Sequence, residues 1–347
     1  MSTPATVAGR RGLRAGTLIA TGVPALLLSI AVATTIGPAS LSVGDVLSVV
    51  GTRLGFGTTE VSRIGQGIVW DLRLPRILLA AVCGAGLSVC GAVLQSLLRN
   101  PLADPFLLGI SAGASTGAVA VVVLGAGSGA VGLTTGAFAG ALVAFGLVVA
   151  LATVAGGGTA RVVLAGVAGT QLFSAITSYV VITSADAEQT RGVLFWLLGS
   201  LSRGRWPDVA LTAAVCAAVL VVCLARAGEL DAFAFGVDAA STLGVSVRTL
   251  RTVLLTLTAL LTAVLVAAAG AIGFVGLVLP HAARLLVGPG HRLVLPVTAL
   301  LGALLLVWVD TLARTVAAPL EVPVGVVTAL VGVPAFAVLL ARGRWSS

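Results

Sequence analysis

The sequence predicts an all-α, polytopic membrane protein with about ten transmembrane helices, built as one domain. Three observations carry that prediction. Of 347 residues, 58% are hydrophobic and only 9% are charged, whereas a soluble globular chain is roughly one quarter charged. The mean hydropathy is +1.15. Apolar runs recur from end to end, each close to the roughly 20 residues needed to cross a bilayer core. The runs are continuous rather than alternating, and lipid requires each segment to satisfy its own backbone, so the spans are helices and not strands.

Turn and charge signals place the helices at 17–36, 75–98, 105–124, 131–155, 161–183, 206–225, 251–269, 272–288, 296–313 and 324–341. The first follows AGRRGLRAG, which resembles an export signal, but its apolar part exceeds the usual h-region of roughly 7–15 residues. It is read as a retained helix behind a cytoplasmic tail, 1–16. The second opens on DLRLPR and carries no charge through ILLAAVCGAGLSVCGAVL. Asn100-Pro101 and Asp104-Pro105 then each join an N-cap residue to a proline suited to a first helical turn. They predict a rigid reversal, with the third helix starting near Pro105. Gly109, Gly113 and Gly117 recur every four residues, which suits either close helix packing or a substrate pathway. The connection 226–250 mixes charge with an apolar helical rhythm and reads as one or two short surface helices. In 272–288, His281 and Arg284 share a helix face, where they serve helix-end structure or interhelical hydrogen bonding. At the end of 296–313, Asp310 and Arg314 stand one turn apart, so that the acid lowers the cost of the base. A short tail, 342–347, follows the last helix.

The net charge is +8 and the basic residues are all arginine, lying in short clusters between apolar runs. That distribution reflects membrane topology and not a nucleic-acid surface. Ten spans put both termini on one side. Twelve of the 20 arginines fall there, so the termini are cytoplasmic by the positive-inside bias. Arg73, Arg76 and Arg314 then lie outside, where Asp310 would orient Arg314. Arg73 and Arg314 would form an exposed cationic pattern suited to carboxylates. Cys83, Cys90, Cys216 and Cys223 sit inside apolar segments and read as small core residues, with no metal site suggested. The G-x-S-x-G matches at 109–113 and 113–117 lack the strand-turn-helix setting of a hydrolase. No lysine is present, so the chain has no Walker A phosphate loop. Any ATP that drives it must bind another chain.

The segment RLPRILLAAVCGAGLSVCGAVLQSLLRNPLADPFLLGISAGAS resembles the membrane permeases of ABC importers for iron–siderophores, haem and vitamin B12. The resemblance continues through DAASTLGVSVRTLR, GAIGFVGLVLPHAARLLVG and LLGALLLVWVDTLARTVAAPLEVPVGVVTALVGVPAF, covering roughly residues 70–340. It implies a ten-helix permease that pairs with a second copy or a related permease, sits on two cytoplasmic ABC ATPase subunits that bind ATP and Mg, and receives cargo from an extracytoplasmic substrate-binding protein. Arg73 and Arg314 match positions that meet glutamates of the binding protein, with Asp310 beside them. Asp238, Ala239, Ala240, Leu243, Gly244, Val245 and Arg248 match the segment that couples to the ATPase, with Gly244 at a turn. Val237 stands where the family usually has an acid, and Asp238 follows it. Gly109, Gly113, Gly117, Gly270, Gly273 and Gly276 are candidates for lining or flexing the pathway of an alternating-access importer in the cell membrane.

Two rival classes fit less well. A secondary transporter driven by an ion gradient usually carries ionisable groups near mid-membrane, and these spans are nearly free of charge. A membrane enzyme needs a clustered acid, base or metal-ligand set, and the sequence offers none.

Overall fold

A computed structural model describes residues 4–124, 130–184 and 186–341. In chain order the helices are α1 (Pro4–Thr35), α2 (Val43–Arg53), α3 (Arg63–Gly67), α4 (Leu74–Leu97), α5 (Ile110–Leu124), α6 (Ala130–Val154), α7 (Thr159–Ser184) and α8 (Ala187–Leu197). They continue with α9 (Trp206–Ala225), α10 (Ala227–Ala232), α11 (Val237–Thr242), α12 (Val247–Ala269), α13 (Val275–Val287), α14 (His291–Ala313) and α15 (Val324–Ala341). Among the described residues, seven helical stretches are long and apolar enough to cross a membrane, and Ile110–Val123, Val275–Val287 and Val324–Val338 are shorter apolar helices. Together they answer to the ten predicted spans. The tail 342–347 lies outside the described residues.

The connections gather at two ends of the bundle. The proximal end carries 98–109, 155–158, 226–246 and 288–290. The distal end carries 36–73, 186–205 and 314–323.

α4 is the axis. It is apolar on every side, and such a helix belongs in the interior; 20 of its 24 residues are buried. It packs against α9, α12, α13 and α14. Two glycine pairs set the close approaches: a Cβ on Gly84 would overlap the carbonyl of Gly302 on α14, and one on Gly91 would overlap that of Gly276 on α13. The four cysteines are free and buried, and they belong to the same core as Leu87, Val219 and Leu261.

Boundaries differ from the sequence expectation where backbone geometry intervenes. α1 continues back to Pro4, through most of the expected tail. Pro105 opens only a single 3-10 turn, Pro105–Leu108; Gly109, at φ +71°, breaks it before α5 starts at Ile110. The expected helix 272–288 begins at Val275, because Gly270 (φ +70°) and Phe274 (φ +68°) hold 270–274 out of helical geometry. α14 starts at His291, ahead of the expected 296. The distal connections contain helices of their own. α2 is closed by a Ser42–Asp45 capping box and α8 by an Asp186–Gln189 capping box. A π-helical turn, Ile68–Arg73, then leads from α3 into α4.

Candidate functional site

Two polar assemblies stand out, one at each end. At the distal end the first turn of α4 meets the last turn of α14, since the Gly84–Gly302 contact holds the two helices together. Asp310 is fully buried. Its partner is Arg76, which donates through Nε to Oδ1 and Oδ2 at 3.0 and 3.1 Å and approaches Oδ1 through Nη2 at 2.9 Å. Arg76 Nη1 also donates to Glu321 at 2.8 Å. Asp310 lies in the last turn of α14, where a carboxylate opposes the helix dipole, and its pairing with Arg76 offsets that.

The other two arginines turn inward. Arg73 is 8% exposed and donates to the carbonyls of Thr34, Thr35 and Ala39. Arg314 donates to the carbonyls of Ala33 (2.6 Å) and Ile36 (3.1 Å), with its Nε 3.8 Å from Asp310. Together they clamp the C-terminal carbonyls of α1, which lack partners within the helix. The expected exposed pattern of Arg73 and Arg314 is therefore corrected: both guanidinium groups are taken up by α1. Asp310 pairs mainly with Arg76, and more loosely with Arg314. Sequence reasoning missed Glu321, because nothing local marks a loop acid that meets a base 245 positions away.

At the proximal end, residues 226–246 form α10, a 3-10 turn (Phe233–Phe235) and α11, separated by Gly236 at φ +107° and closed by Gly244 at φ +83°. Leu230, Phe233 and Ala240 are buried and anchor the segment. Asp238, Leu243, Gly244 and Arg248 are exposed, with Ala239 and Val245 partly covered. Ala240, grouped by sequence with the contact residues, faces the core instead. Phe235, 78% exposed, was missed; its signal was an aromatic pair, FAF, inside a charged connection. With Val237 and Leu243, also exposed, it gives the segment an apolar lip.

Asp231 on α10 accepts from both the backbone N–H and the ring Nδ1 of His291. Burial pushes its carboxyl up, but these hydrogen bonds and the nearby Arg292 outweigh it and hold the group below the usual carboxylate range. Asp104 accepts from the Phe106 N–H. Burial raises its carboxyl to about 6 despite that bond.

The six glycines divide. A Cβ on Gly113 would meet Gly140 of α6, and one on Gly117 would meet Gly136, so these two are helix-packing positions. Gly109 has a turn conformation. Gly270 lies against the Trp196 carbonyl and Gly276 against α4, whereas Gly273 has open space around it.

A helical membrane bundle with an arginine cluster at its distal end and a short-helix segment at the other has the architecture of a transport permease. The family model of the FecCD transport family matches residues 25–342, and the chain belongs to that family. It is 46% identical over 288 residues to the cobalamin import system permease protein BtuC of Halobacterium salinarum, covering 83% of this chain and 76% of the relative. It is 40% identical over 281 residues to the hemin transport system permease protein HmuU of Yersinia pestis, covering 80% of this chain and 84% of the relative. A solved inward-facing structure of a metal-chelate type ABC transporter superposes with a TM-score of 0.83 at 30% identity, covering 94% of this chain and 99% of that one.

Proposed function

We propose that this chain is the membrane permease subunit of an ATP-driven importer that carries a large metal chelate, such as a ferric siderophore, haem or cobalamin, into the cytoplasm by alternating access. Membership of the FecCD transport family over residues 25–342 carries the reading. The named cargoes of the relatives, cobalamin and hemin, share one chemistry: a metal held in a bulky organic ligand.

The absence of lysine, and so of a Walker A loop, assigns ATP and Mg to a separate ATPase. The arginine bias makes the proximal end cytoplasmic and places both termini in the cytoplasm, with the chain in the cell membrane. The lip of Phe235, Val237 and Leu243, with Asp238 and Arg248 beside it, is then the surface that meets the ATPase. An apolar centre with a charged rim suits a protein interface. Gly244 lets the chain turn there at φ +83°.

The distal arginine cluster faces an extracytoplasmic binding protein. Docking of that protein's carboxylates would require Arg73 and Arg314 to exchange their α1 carbonyl partners, so that docking reaches α1 directly. A second copy, or a related permease, completes the pathway, to which Gly273 contributes an open backbone position.

The test is gentle detergent extraction from the native host, followed by mass spectrometry of what co-purifies. Recovery of a Walker-containing ATPase, lost on Leu243→Asp, supports the reading. A folded permease that arrives alone and moves solute down an ion gradient overturns it.

A further inference from the structure

The family assignment leaves unexplained a three-residue chain at the proximal end: Asp231 on α10, His291 at the start of α14 and Ser96 in the last turn of α4. Asp231 Oδ1 accepts from the His291 backbone N–H at 2.9 Å and lies 2.6 Å from ring Nδ1. On the other side of the ring, Nε2 lies 2.5 Å from Ser96 Oγ. His291 is 5% exposed, whereas Asp231 is partly open. Ser96 Oγ also lies 3.1 Å from the carbonyl oxygen of Ala92. Nδ1–H donates to Asp231, and the single hydroxyl hydrogen of Ser96 goes either to Nε2 or to the Ala92 carbonyl.

The residue types are those of a hydrolytic triad, but the geometry is not. The hydroxyl has the helix's own Ala92 carbonyl as a second acceptor. The last turn of a helix presents carbonyls rather than N–H groups, so no donor set awaits an oxyanion. The chain joins elements instead of activating a nucleophile.

What it joins is informative. The last turn of α4 is a hub. Gln95 donates to the carbonyls of Gly276 and Leu277 on α13 and accepts from Arg284 at 2.6 Å. The Leu97 carbonyl accepts from Arg251 on α12. From Ser96, α4 runs back 20 residues, roughly 30 Å, to Arg76 and the distal cluster. Its glycine contacts bring it into close approach with α13 and α14.

We infer that the Asp231–His291–Ser96 chain is the tie through which displacement of the short helices at the proximal end reaches α4 and hence the distal end. His291 is in this sense a positioning residue. The inference rests on the proposed function, since it needs an ATP-hydrolysing subunit to push on residues 226–246.

The test uses the intact permease–ATPase complex in lipid nanodiscs, with spin labels on the exposed distal positions Leu194 and Leu320. The distance distribution is read with and without ATP and vanadate. Wild type shifts on nucleotide trapping. S96A, D231A and H291A keep nucleotide binding but shrink the shifted fraction at least about fivefold, the scale of a broken coupling between two sites. D231N, which keeps an acceptor oxygen, retains most of the shift. The double variant D231A/H291A is no worse than either single, as for residues acting in one link.

S96A decides the matter if D231A or H291A fails to assemble, since alanine is a favourable residue within a helix. A full distal response in S96A, or equal loss in D231N and D231A, overturns the tie while leaving the importer reading intact. A wild-type complex that binds nucleotide without any distal response overturns both.

Discussion

Replacing Asp310 with alanine gives the sharpest test of what holds the distal end together. Asp310 is fully enclosed and accepts three contacts from Arg76 between 2.9 and 3.1 Å. Removing it leaves the Arg76 guanidinium buried, with Glu321 as its remaining carboxylate at 2.8 Å. Breaking a buried ion pair by deleting one partner costs about 3–5 kcal/mol, because the remaining charge stays desolvated. Glu321 is partly exposed and offsets some of this, so D310A falls at the lower limit, about 3 kcal/mol. The pair itself is different from either half. R76M/D310L removes both charges and fills the same space, and such replacements are neutral or stabilising by about 1–4 kcal/mol. Unfolding in detergent micelles, followed by circular dichroism and by monodispersity on size exclusion, measures both. D310A within about 1 kcal/mol of wild type, or a double variant as unstable as D310A, would refute the claim that Asp310 and Arg76 form one buried unit.

The remaining predictions follow from the same geometry. Gly117→Ala forces α5 from α6 and costs about 1–3 kcal/mol, whereas Gly273→Ala, in open space, stays within about 0.5 kcal/mol of wild type; thermal unfolding of the two separates packing from free positions. Asp104 has its folded pKa raised to about 6, so the native state holds the proton more tightly than the unfolded chain. Its contribution is full below about pH 4 and is lost as pH rises through 6. Asp104→Asn keeps the N-cap and flattens that part of a stability profile measured from pH 4 to 7.5; an unchanged slope would contradict the assignment. Leu243→Asp places a charge on the exposed apolar lip, so co-purifying ATPase falls at least about tenfold while the melting temperature holds, as for a lost interface anchor.

The ten-span architecture was legible because its signal is local: each apolar run carries its own length and its own breaks. The short helices α2 and α8 were legible in principle. Ser42 with Asp45, and Asp186 with Gln189, are capping boxes that mark helix starts, although the spans predicted from sequence include neither. The break at 270–274 was not legible, since a phenylalanine at φ +68° is held by surroundings that the local sequence does not contain. Among them is Gly332 on α15, which leaves room for the ring. The distal arginines illustrate the same limit. Their place at the mouth of α4 and the end of α14 followed from charge and span. Their partners lie on α1, 39 and 281 residues away for the Thr34 and Ala33 carbonyls. Arg73 and Arg314 therefore look alike in sequence whether they face solvent or a helix end. Ala240 shows the converse: a short surface helix must bury one face, and only the packing of α11 says which.

The most direct test of the central claim is uptake into sealed proteoliposomes holding the permease and its co-purified ATPase, with cobalamin, haem or a ferric siderophore offered on its own binding protein. Accumulation of one of these chelates that requires ATP at the proximal face, stops with vanadate and ignores proton and sodium gradients is the result predicted. Uptake that runs without ATP and collapses with an ionophore would contradict it.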